Sequence, residues 1–300
     1  MSVINTNVKS LIVQNAIKVN NRLMANAMEQ LSTGKRINSA KDDAAGLAVS
    51  ENMTSQIRGM NMAVRNANDG ISLLQTAEGA MIEQTNMLQR MRELSVQAAN
   101  GTLSSTQRSY LDLEFQALVS EINRISQNTQ WNGMKLLSGT QNSGLFEFQV
   151  GPGNDPAIET IGITINNMSF SENSAGVVGM FAPTVGGARR EWDQTANPST
   201  DGIVTTSAAK DVIAVIDNAL NEIAEQRATI GATINRLTYA SDNLSNISMN
   251  TSESRSRILD TDYALATTEL ARTQIIQQAS TAVLAQANSQ PQTVLKLLQG

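Results

Sequence analysis

The side chains that most often carry out catalysis or bind metals are scarce in this sequence. Its 300 residues include no cysteine and no histidine. Disulfides, thiolate nucleophiles, Ser–His–Asp triads and zinc sites built from Cys and His are therefore excluded. Carboxylates remain as the chief candidates for chemistry.

Two carboxylate clusters have the spacing of a cation site or an acid–base pair. They are Asp42 with Asp43, and Asp260 with Asp262. Such clusters can bind divalent cations or transfer protons. Asp is also favoured at helix N-termini, where its side chain accepts hydrogen bonds from free backbone N–H groups. We favour helix capping at both clusters, and we expect no enzymatic activity, no metal and no cofactor.

The composition predicts helices packed through aliphatic side chains. Hydrophobic residues make up 41% of the chain, but aromatic residues only 3%. A compact globular core normally takes much of its buried area from aromatic rings. The net charge of −5 disfavours nucleic-acid binding, which requires a basic surface. No apolar run reaches the roughly 18 residues of a transmembrane helix, so a membrane is not an expected partner either.

Apolar residues recur every three or four positions along most of the chain, which is the spacing of one helix face. The pattern predicts helices over 8–33, 44–99, 111–125, 213–244 and 259–298, the last interrupted at Pro291. Five polar residues stand at apolar positions of the long helices and predict an imperfect coiled coil: Glu78, Thr85, Arg92, Arg227 and Ser241.

The middle of the chain follows a different pattern. Apolar and polar residues alternate over 146–150 and again over 161–165, which predicts two half-buried strands. The predicted fold is mainly α, an elongated antiparallel helical rod with coiled-coil terminal helices and a small β-hairpin excursion in the middle of the chain.

These patterns divide the chain into three regions. Residues 1–43 and 258–300 are predicted as terminal helices, 44–168 and 206–257 as longer helices with β-hairpins, and 169–205 as a short exposed loop. The terminal helices carry more apolar surface than they can bury against each other, so they need a partner. Identical subunits that meet head to tail without closing a ring form a filament.

Four sequence blocks, in the same order along the chain, resemble those of bacterial flagellin. They are LSTGKRINSAKDDAAGLAVSENM (31–53), QRMRELSVQAANGTLS (89–104), NTQWNGMKLLSG (128–139) and QQASTAVLAQANSQPQTVLKLL (277–298). The likeness covers roughly residues 1–165 and 205–300. Four ordered blocks over that length make the resemblance specific.

The resemblance implies a structural subunit that polymerises into the flagellar filament used for swimming motility. It also implies that residues 1–43 and 258–300 form a terminal helical layer at the inner core of the filament, that 44–168 and 206–257 form the helical rod domain, and that 169–205 form a short variable exposed loop. The implied partners of the subunit are further copies of the chain, an export chaperone at the C-terminal helix, and the filament cap and hook-junction proteins. Members of the family leave the cell through the flagellar type III apparatus, so an extracellular flagellum and no cleaved signal peptide are expected. A hook–filament junction protein or another flagellar axial protein is the alternative.

The same resemblance implies three sets of site residues. In several flagellins the vertebrate flagellin-sensing Toll-like receptor recognises the positions that match Gln89, Arg90, Glu93, Leu94, Gln97 and Glu114. Packing between subunits is expected at Val8, Ile12, Val19, Leu23, Leu31, Leu270, Ile276, Val283, Leu295 and Leu298. Candidates for O-linked sugars, as in some flagellins, are Ser169, Ser171, Ser174, Thr184 and Thr195.

Overall fold

The computed structural model describes residues 7–139, 144–170, 184–185, 188–189 and 202–299. Its helices are Val8–Thr33 (α1), Ala44–Ala98 (α2), Ser105–Asn128 (α3), Pro156–Glu159 (α4), Thr206–Leu259 (α5) and Tyr263–Gln299 (α6). Its strands are Gln130–Trp131 (β1), Met134–Lys135 (β2), Leu145–Gln149 (β3), Thr160–Thr164 (β4), Thr184–Val185 (β5) and Ala188–Arg189 (β6). The prediction of a mainly α-helical chain with β-hairpins in its middle is confirmed.

Local sequence explains where α1 ends and where α3 begins. Gly34 terminates α1 in the left-handed region, at φ 73°, and its N–H donates to the Gln30 carbonyl. Glycine reaches that region without steric cost, which makes it the usual residue after a helix. Ser104 begins α3 with a capping box, in which it exchanges hydrogen bonds with Gln107.

Two antiparallel hairpins follow α3. Asn132 and Gly133 connect β1 to β2 with φ of 47° and 78°, the pair of positive angles that a tight two-residue hairpin requires. β3 pairs with β4 from Leu145 opposite Thr164 to Gln149 opposite Thr160. The alternation that predicted these two strands is confirmed, since their buried side chains lie on one face.

The chain divides into two compact units. The terminal unit comprises Met1–Ile57 with Ser248–Gly300, and the central unit comprises Arg58–Ile247. Both points of division lie inside helices, one in α2 and one in α5. The boundaries predicted after 43 and before 258 lie instead close to the junctions between helices.

In the terminal unit, α1 and α6 run antiparallel. Near its start α1 contacts Ala287, further along it contacts Thr273, and Lys35 beyond its end pairs with Asp260. The prediction that Pro291 interrupts the last helix is wrong, because α6 continues through that residue to Gln299. The carbonyl that a proline leaves without its helical donor belongs to Ala287, and it accepts a hydrogen bond from Asn7 instead.

In the central unit, α2, α3, α5 and the β3–β4 hairpin enclose one aliphatic core. Helices α2, α3 and α5 supply many of the large side chains that have almost no exposed surface. They include Leu74, Met81, Leu88, Met91, Leu94, Phe115, Ile122, Ile216, Ile223 and Ile230. The seven-residue steps from Leu74 to Leu88 match the predicted heptad pattern of α2.

Residues near both ends of the predicted exposed loop, 169–205, are buried. Phe170 and Ile203 have no exposed surface. Side chains of α3 hold both: Asn123 accepts from the Phe170 N–H at 2.9 Å, and Asp112 accepts from the Ile203 N–H at 2.8 Å. Between these anchors the described residues are Gly202 and the backbone of β5 and β6.

Candidate assembly and recognition surfaces

Small and polar side chains line the contact between α1 and α6. Where side chains are described, the buried positions of the two helices are Ser10, Asn20, Ala27, Ala266, Thr273 and Ala287. Asn20 donates from Nδ2 to the Thr273 carbonyl at 2.8 Å and to Oε1 of Gln277 at 3.3 Å. These side chains are short, so the helix pair buries little large aliphatic surface within the chain.

The large aliphatic residues of the same helices face away from that contact. Ile12 is 65% exposed and Val8 54%, while Val283 on α6 is 53% exposed. The remaining predicted packing residues follow the same trend: Val19, Leu23 and Ile276 are exposed, and Leu31 and Leu270 are half-buried. The side chains of Leu295 and Leu298 lie outside the described part of the chain. Exposed aliphatic stripes of this kind mark surfaces that a further molecule covers.

The two aspartate clusters make helix-capping and loop hydrogen bonds. Asp43 accepts from the Gly46 N–H at 2.9 Å at the start of α2. Asp262 accepts from the Ala264 and Leu265 N–H groups at the start of α6. These bonds confirm the capping interpretation at Asp43 and Asp262. Among the described residues, no group of three or more acidic side chains has the geometry of a metal site.

Asp42 holds the loop that joins α1 to α2. Its Oδ2 accepts from the Ser39 hydroxyl at 2.9 Å and from the backbone N–H groups of Ser39 and Asn38. These hydrogen bonds, with the Ser39 hydroxyl first, and the charge of Lys41 hold the pKa of the Asp42 carboxyl below its ordinary value.

Most of the predicted receptor-recognition residues share an exposed surface of the central unit. Arg90 on α2 donates from Nε to Oε1 of Glu114 on α3 at 2.9 Å, and from Nη1 to Oε2 of Glu93 at 3.0 Å. The hydrogen bonds to these two carboxylates, Glu93 first, raise the pKa of the Arg90 guanidinium. Gln89 and Gln97 are exposed on the same helix. We call these five residues the Arg90 surface.

The structure does not place Leu94 on that surface. Its side chain is 1% exposed and belongs to the core of the central unit. In this conformation the Leu94 side chain is not accessible to a partner, and its part in receptor recognition stays a prediction. Arg90 and Leu94 are one helical turn apart, but Leu94 lies on the side of α2 that faces the core of the central unit.

One predicted glycosylation position is also inaccessible. Ser169 is 2% exposed, and its hydroxyl donates to Oδ1 of Asn167 at 2.9 Å. Ser171, Ser174 and Thr195 lie outside the described residues, as does the side chain of Thr184. Ser169 is therefore withdrawn as a site for a sugar.

The polar residues of the long helices pair across the edge between α2 and α5. Arg92 donates from Nε to Oδ1 of Asp217 at 2.7 Å, and Nη2 of Arg227 lies 3.8 Å from Oε1 of Glu78. These side chains are about a third to a half exposed. Thr85 instead donates within its own helix, to the Met81 carbonyl. Three of the five polar residues predicted within the imperfect coiled coil, Glu78, Arg92 and Arg227, therefore form partly exposed ion pairs.

Sequence reasoning missed the residues that tie distant segments together. Asn7 and Asn20 bond carbonyls more than 250 positions away, and Asp112 and Asn123 anchor the ends of the middle segment. An Asn among the contact positions of an apolar helix is a usable signal, because a buried carboxamide specifies helix register. Asp112 carried no comparable signal.

Comparison with known families supports a single class of protein, a helical subunit of a flagellar filament. The family model for the bacterial flagellin N-terminal helical region matches residues 4–142, and that for the C-terminal helical region matches residues 213–298. The chain belongs to the bacterial flagellin family. It is a structural protein of the flagellar filament and not an enzyme.

Relatives match over nearly the whole chain. Polar flagellin F of Vibrio parahaemolyticus is 36% identical, covering 98% of this chain and 99% of the relative. Flagellin B of Vibrio anguillarum is 37% identical with the same coverage. The alignment with the first of these spans 377 positions, more than the 300 residues of this chain, so that relative carries additional residues.

Two solved structures match parts of this chain. Bacillus cereus flagellin is 27% identical, with a TM-score of 0.44 over 60% of this chain and 88% of that one. A putative flagellar hook-associated protein from Vibrio parahaemolyticus has a TM-score of 0.57 at 16% identity, over 73% of this chain and all of that one. The latter likeness shows the fold alone.

Within the described residues, no helix combines the length and the apolarity that crossing a membrane requires.

Proposed function

We propose that the exposed aliphatic stripes of α1 and α6 are the surfaces through which copies of this chain pack in the filament. The observation that supports this proposal is the division of side chains between the two sides of the helix pair. Small residues face the partner helix, whereas Ile12, Val19, Leu23 and Val283 face outward. Full burial of one such side chain is worth about 1.5–3 kcal/mol, so a stripe of them supplies a strong drive for assembly.

Substitution within the stripe tests this packing. The double variant Ile12→Gln/Leu23→Gln should raise the critical concentration for polymerisation by at least about tenfold, since it removes two apolar contacts of the size given above. Asn15→Gln/Asn21→Gln is the matched control, because it changes two exposed polar residues of the same helix. Sedimentation and electron microscopy measure the polymer. Equal critical concentrations for both double variants would contradict the proposal.

Removal of either chain end gives a second test. Deleting residues 1–35 or 265–300 should abolish polymerisation and leave a soluble helical protein, because the central core lies within Arg58–Ile247. Circular dichroism then reports retained helix while sedimentation reports the lost polymer. Long filaments from either truncated chain would show that the terminal helices are dispensable.

We also propose that the free subunit is recognised by the vertebrate flagellin-sensing Toll-like receptor through the Arg90 surface. The resemblance of this block to flagellins that the receptor recognises supports the proposal, as does the exposure of its charged residues. The resemblance also implies that packing between subunits covers this surface, so monomers should be more active than intact filaments. Leu94 would contribute only through the core beneath the surface.

A receptor-reporter assay with purified monomer tests this recognition. Arg90→Ala should weaken the response, whereas Arg124→Ala should leave it unchanged. Arg124 is the matched control because it forms an exposed ion pair of the same kind with Glu121, at 2.5 Å, within α3. No response to the parent protein, or equal loss in both variants, would overturn the proposal.

Family membership supports further roles in motility, export and filament assembly. We propose that the chain serves swimming motility, leaves the cell through the flagellar type III apparatus with its amino terminus uncleaved, binds an export chaperone at its C-terminal helix, and meets the filament cap and hook-junction proteins. Loss of swimming on deletion of the gene tests the first role, and N-terminal sequencing of secreted protein tests the second. Intact mass measurement of the same material tests O-linked sugars at Ser171, Ser174, Thr184 and Thr195.

We also propose a position in the filament for each region of the chain. Residues 1–43 and 258–300 would form the inner layer of the filament, residues 44–168 and 206–257 the layer around it, and the middle segment the outer surface. Limited proteolysis of filaments should then cut the middle segment first. Early cleavage within 1–43 would contradict this arrangement.

A further inference from the structure

One side chain at the start of α1 completes the hydrogen bonding of α6 near its end. Asn7 is the N-cap of α1, and its Oδ1 accepts from the Ser10 N–H at 3.1 Å. Its Nδ2 donates to the carbonyl of Ala287 at 2.9 Å. A single carboxamide therefore bonds the first turn of one helix and a late turn of the other.

The Ala287 carbonyl has a particular need for this donor. In a helix, the carbonyl of residue 287 normally accepts from the N–H of residue 291. Residue 291 is proline, whose nitrogen carries no hydrogen, and yet α6 continues to Gln299. Ala287 is 8% exposed, so water has little access to satisfy its backbone. Asn7 supplies the hydrogen bond that Pro291 removes.

The residue type at position 7 is well matched to this double role. A carboxamide accepts through its oxygen and donates through its nitrogen at the same time, whereas a carboxylate can only accept. The two partners also fix the orientation of the amide. The reverse orientation would set Oδ1 against the Ala287 carbonyl and Nδ2 against the Ser10 N–H.

Asn20, the second Asn in the α1–α6 contact, differs in this respect. It donates to the Thr273 carbonyl. Gln277 lies four residues after Thr273, so its backbone N–H is the normal helical donor to the same carbonyl. Asn20 therefore adds a hydrogen bond to a carbonyl that the helix already satisfies, whereas Asn7 replaces a missing one.

We infer that Asn7 is a positioning residue for assembly, which makes the order of the last turns of α6 depend on the first turn of α1. The two ends of the chain would then order together. A chain that lacks its first seven residues would present α6 with an unpaired carbonyl at Ala287 and would be a poor partner for the next subunit. This inference rests on the proposed packing of the terminal helices in the filament.

The substitution Asn7→Asp separates the two halves of the role. Aspartate still caps α1, but it cannot donate, and its charge faces the Ala287 carbonyl. Backbone amides over 281–289 should exchange with deuterium about tenfold faster in Asn7→Asp, as expected for one helical carbonyl left unpaired. Asn15→Asp is the matched control, because it introduces the same charge on an exposed position of the same helix. It should change the exchange less than about twofold.

A rescue in a second background tests the specific link to proline. Pro291→Ala restores the N–H that bonds the Ala287 carbonyl, so Asn7→Asp in that background should alter exchange over 281–289 by less than about twofold. Asn20→Asp should accelerate exchange around Thr273 to the same degree in both backgrounds. Hydrogen exchange followed by mass spectrometry is measured on the full chain, free and assembled, beside the critical concentration for polymerisation.

The outcomes separate this inference from the proposed packing. Equal effects of Asn7→Asp in the parent and Pro291→Ala backgrounds, or no effect in either, would overturn the inference. So would a parent chain whose amides over 281–289 are unprotected both free and assembled. If Ile12→Gln/Leu23→Gln assembles normally while the Asn7 rescue is observed, the proposed packing fails and the coupling of the chain ends stands.

Discussion

Arg90 on α2 and Glu114 on α3 form an ion pair across the surface of the central unit, with Nε 2.9 Å from Oε1. Leu94 lies one helical turn further along α2 and is buried beneath that surface. Two residues that the sequence grouped in one recognition motif therefore have different physical roles. One is available to a partner, and the other supports the helices that present it.

Alanine substitutions of these two residues should therefore differ in their effect on the free energy of unfolding. Leu94→Ala should lower the free energy of unfolding by about 2–5 kcal/mol, because it leaves a cavity in the core. Arg90→Ala should change it by less than about 1 kcal/mol, as for other exposed ion pairs. Urea unfolding followed by circular dichroism measures both. A Leu94→Ala chain as stable as the parent would mean that this side chain is not packed as the structure places it.

Gly144 predicts a severe effect of a single methyl group at the start of β3. Its φ is 83°, and a Cβ there would overlap the Ile165 carbonyl oxygen, while its own carbonyl accepts from the Ile165 N–H at 2.8 Å. Gly144→Ala should destabilise the central unit by at least about 1–3 kcal/mol. Gly79→Ala is the control, because a Cβ there meets nothing within 4 Å inside α2 and should stabilise by about 0.4–1 kcal/mol. Equal midpoints of thermal unfolding for the two variants would contradict this assignment.

The Glu78–Arg227 pair predicts an effect on the form of the filament. Our hypothesis is that polar contacts at the edge between α2 and α5 fix the register of these helices less strictly than an apolar seam would, and that a small change of register in each subunit alters filament supercoil. Glu78→Leu removes the carboxylate that lies 3.8 Å from Arg227. We expect a narrower range of waveforms over pH and salt, seen by dark-field or electron microscopy. A range identical to that of the parent filament would exclude a role for this pair.

The charge of Asp42 should make the stability of the folded chain depend on pH. Its pKa in the folded chain is below the ordinary value, so its charged form favours folding. The contribution is complete above the ordinary aspartate pKa of about 3.9 and is lost as the pH falls through the lower folded value. The difference in unfolding midpoint between the parent and Asp42→Asn should therefore be largest near neutral pH and shrink below about pH 4. A difference that grows on acidification would refute this role.

Much of the fold could be predicted from the sequence because its causes are local. The glycine after Thr33 ends α1, the Ser104 capping box starts α3, and apolar residues at three- and four-residue steps define the faces of α2 and α5. Each of these signals acts within one or two helical turns. The alternation in β3 and β4 is local in the same sense, and it predicted both strands.

Other features depended on which surfaces meet, and periodicity does not carry that information. Leu94 and Arg90 occupy neighbouring turns of the same helix, and only the packing of the central core decides which of them is covered. The aliphatic stripe of α1 has the spacing of a core face, but Asn20 and its small neighbours face α6 instead and leave that stripe exposed.

The sequence by itself determined the helices, the hairpins and the family of this protein, because helix propensity, capping and motif order depend on residues that are close together in the sequence. The tertiary structure alone decided that Asn7 bonds the carbonyl left open by Pro291, that Leu94 is buried, and that Asp112 anchors the segment before α5. These contacts join groups far apart along the chain, and their partners become known only once the helices have packed.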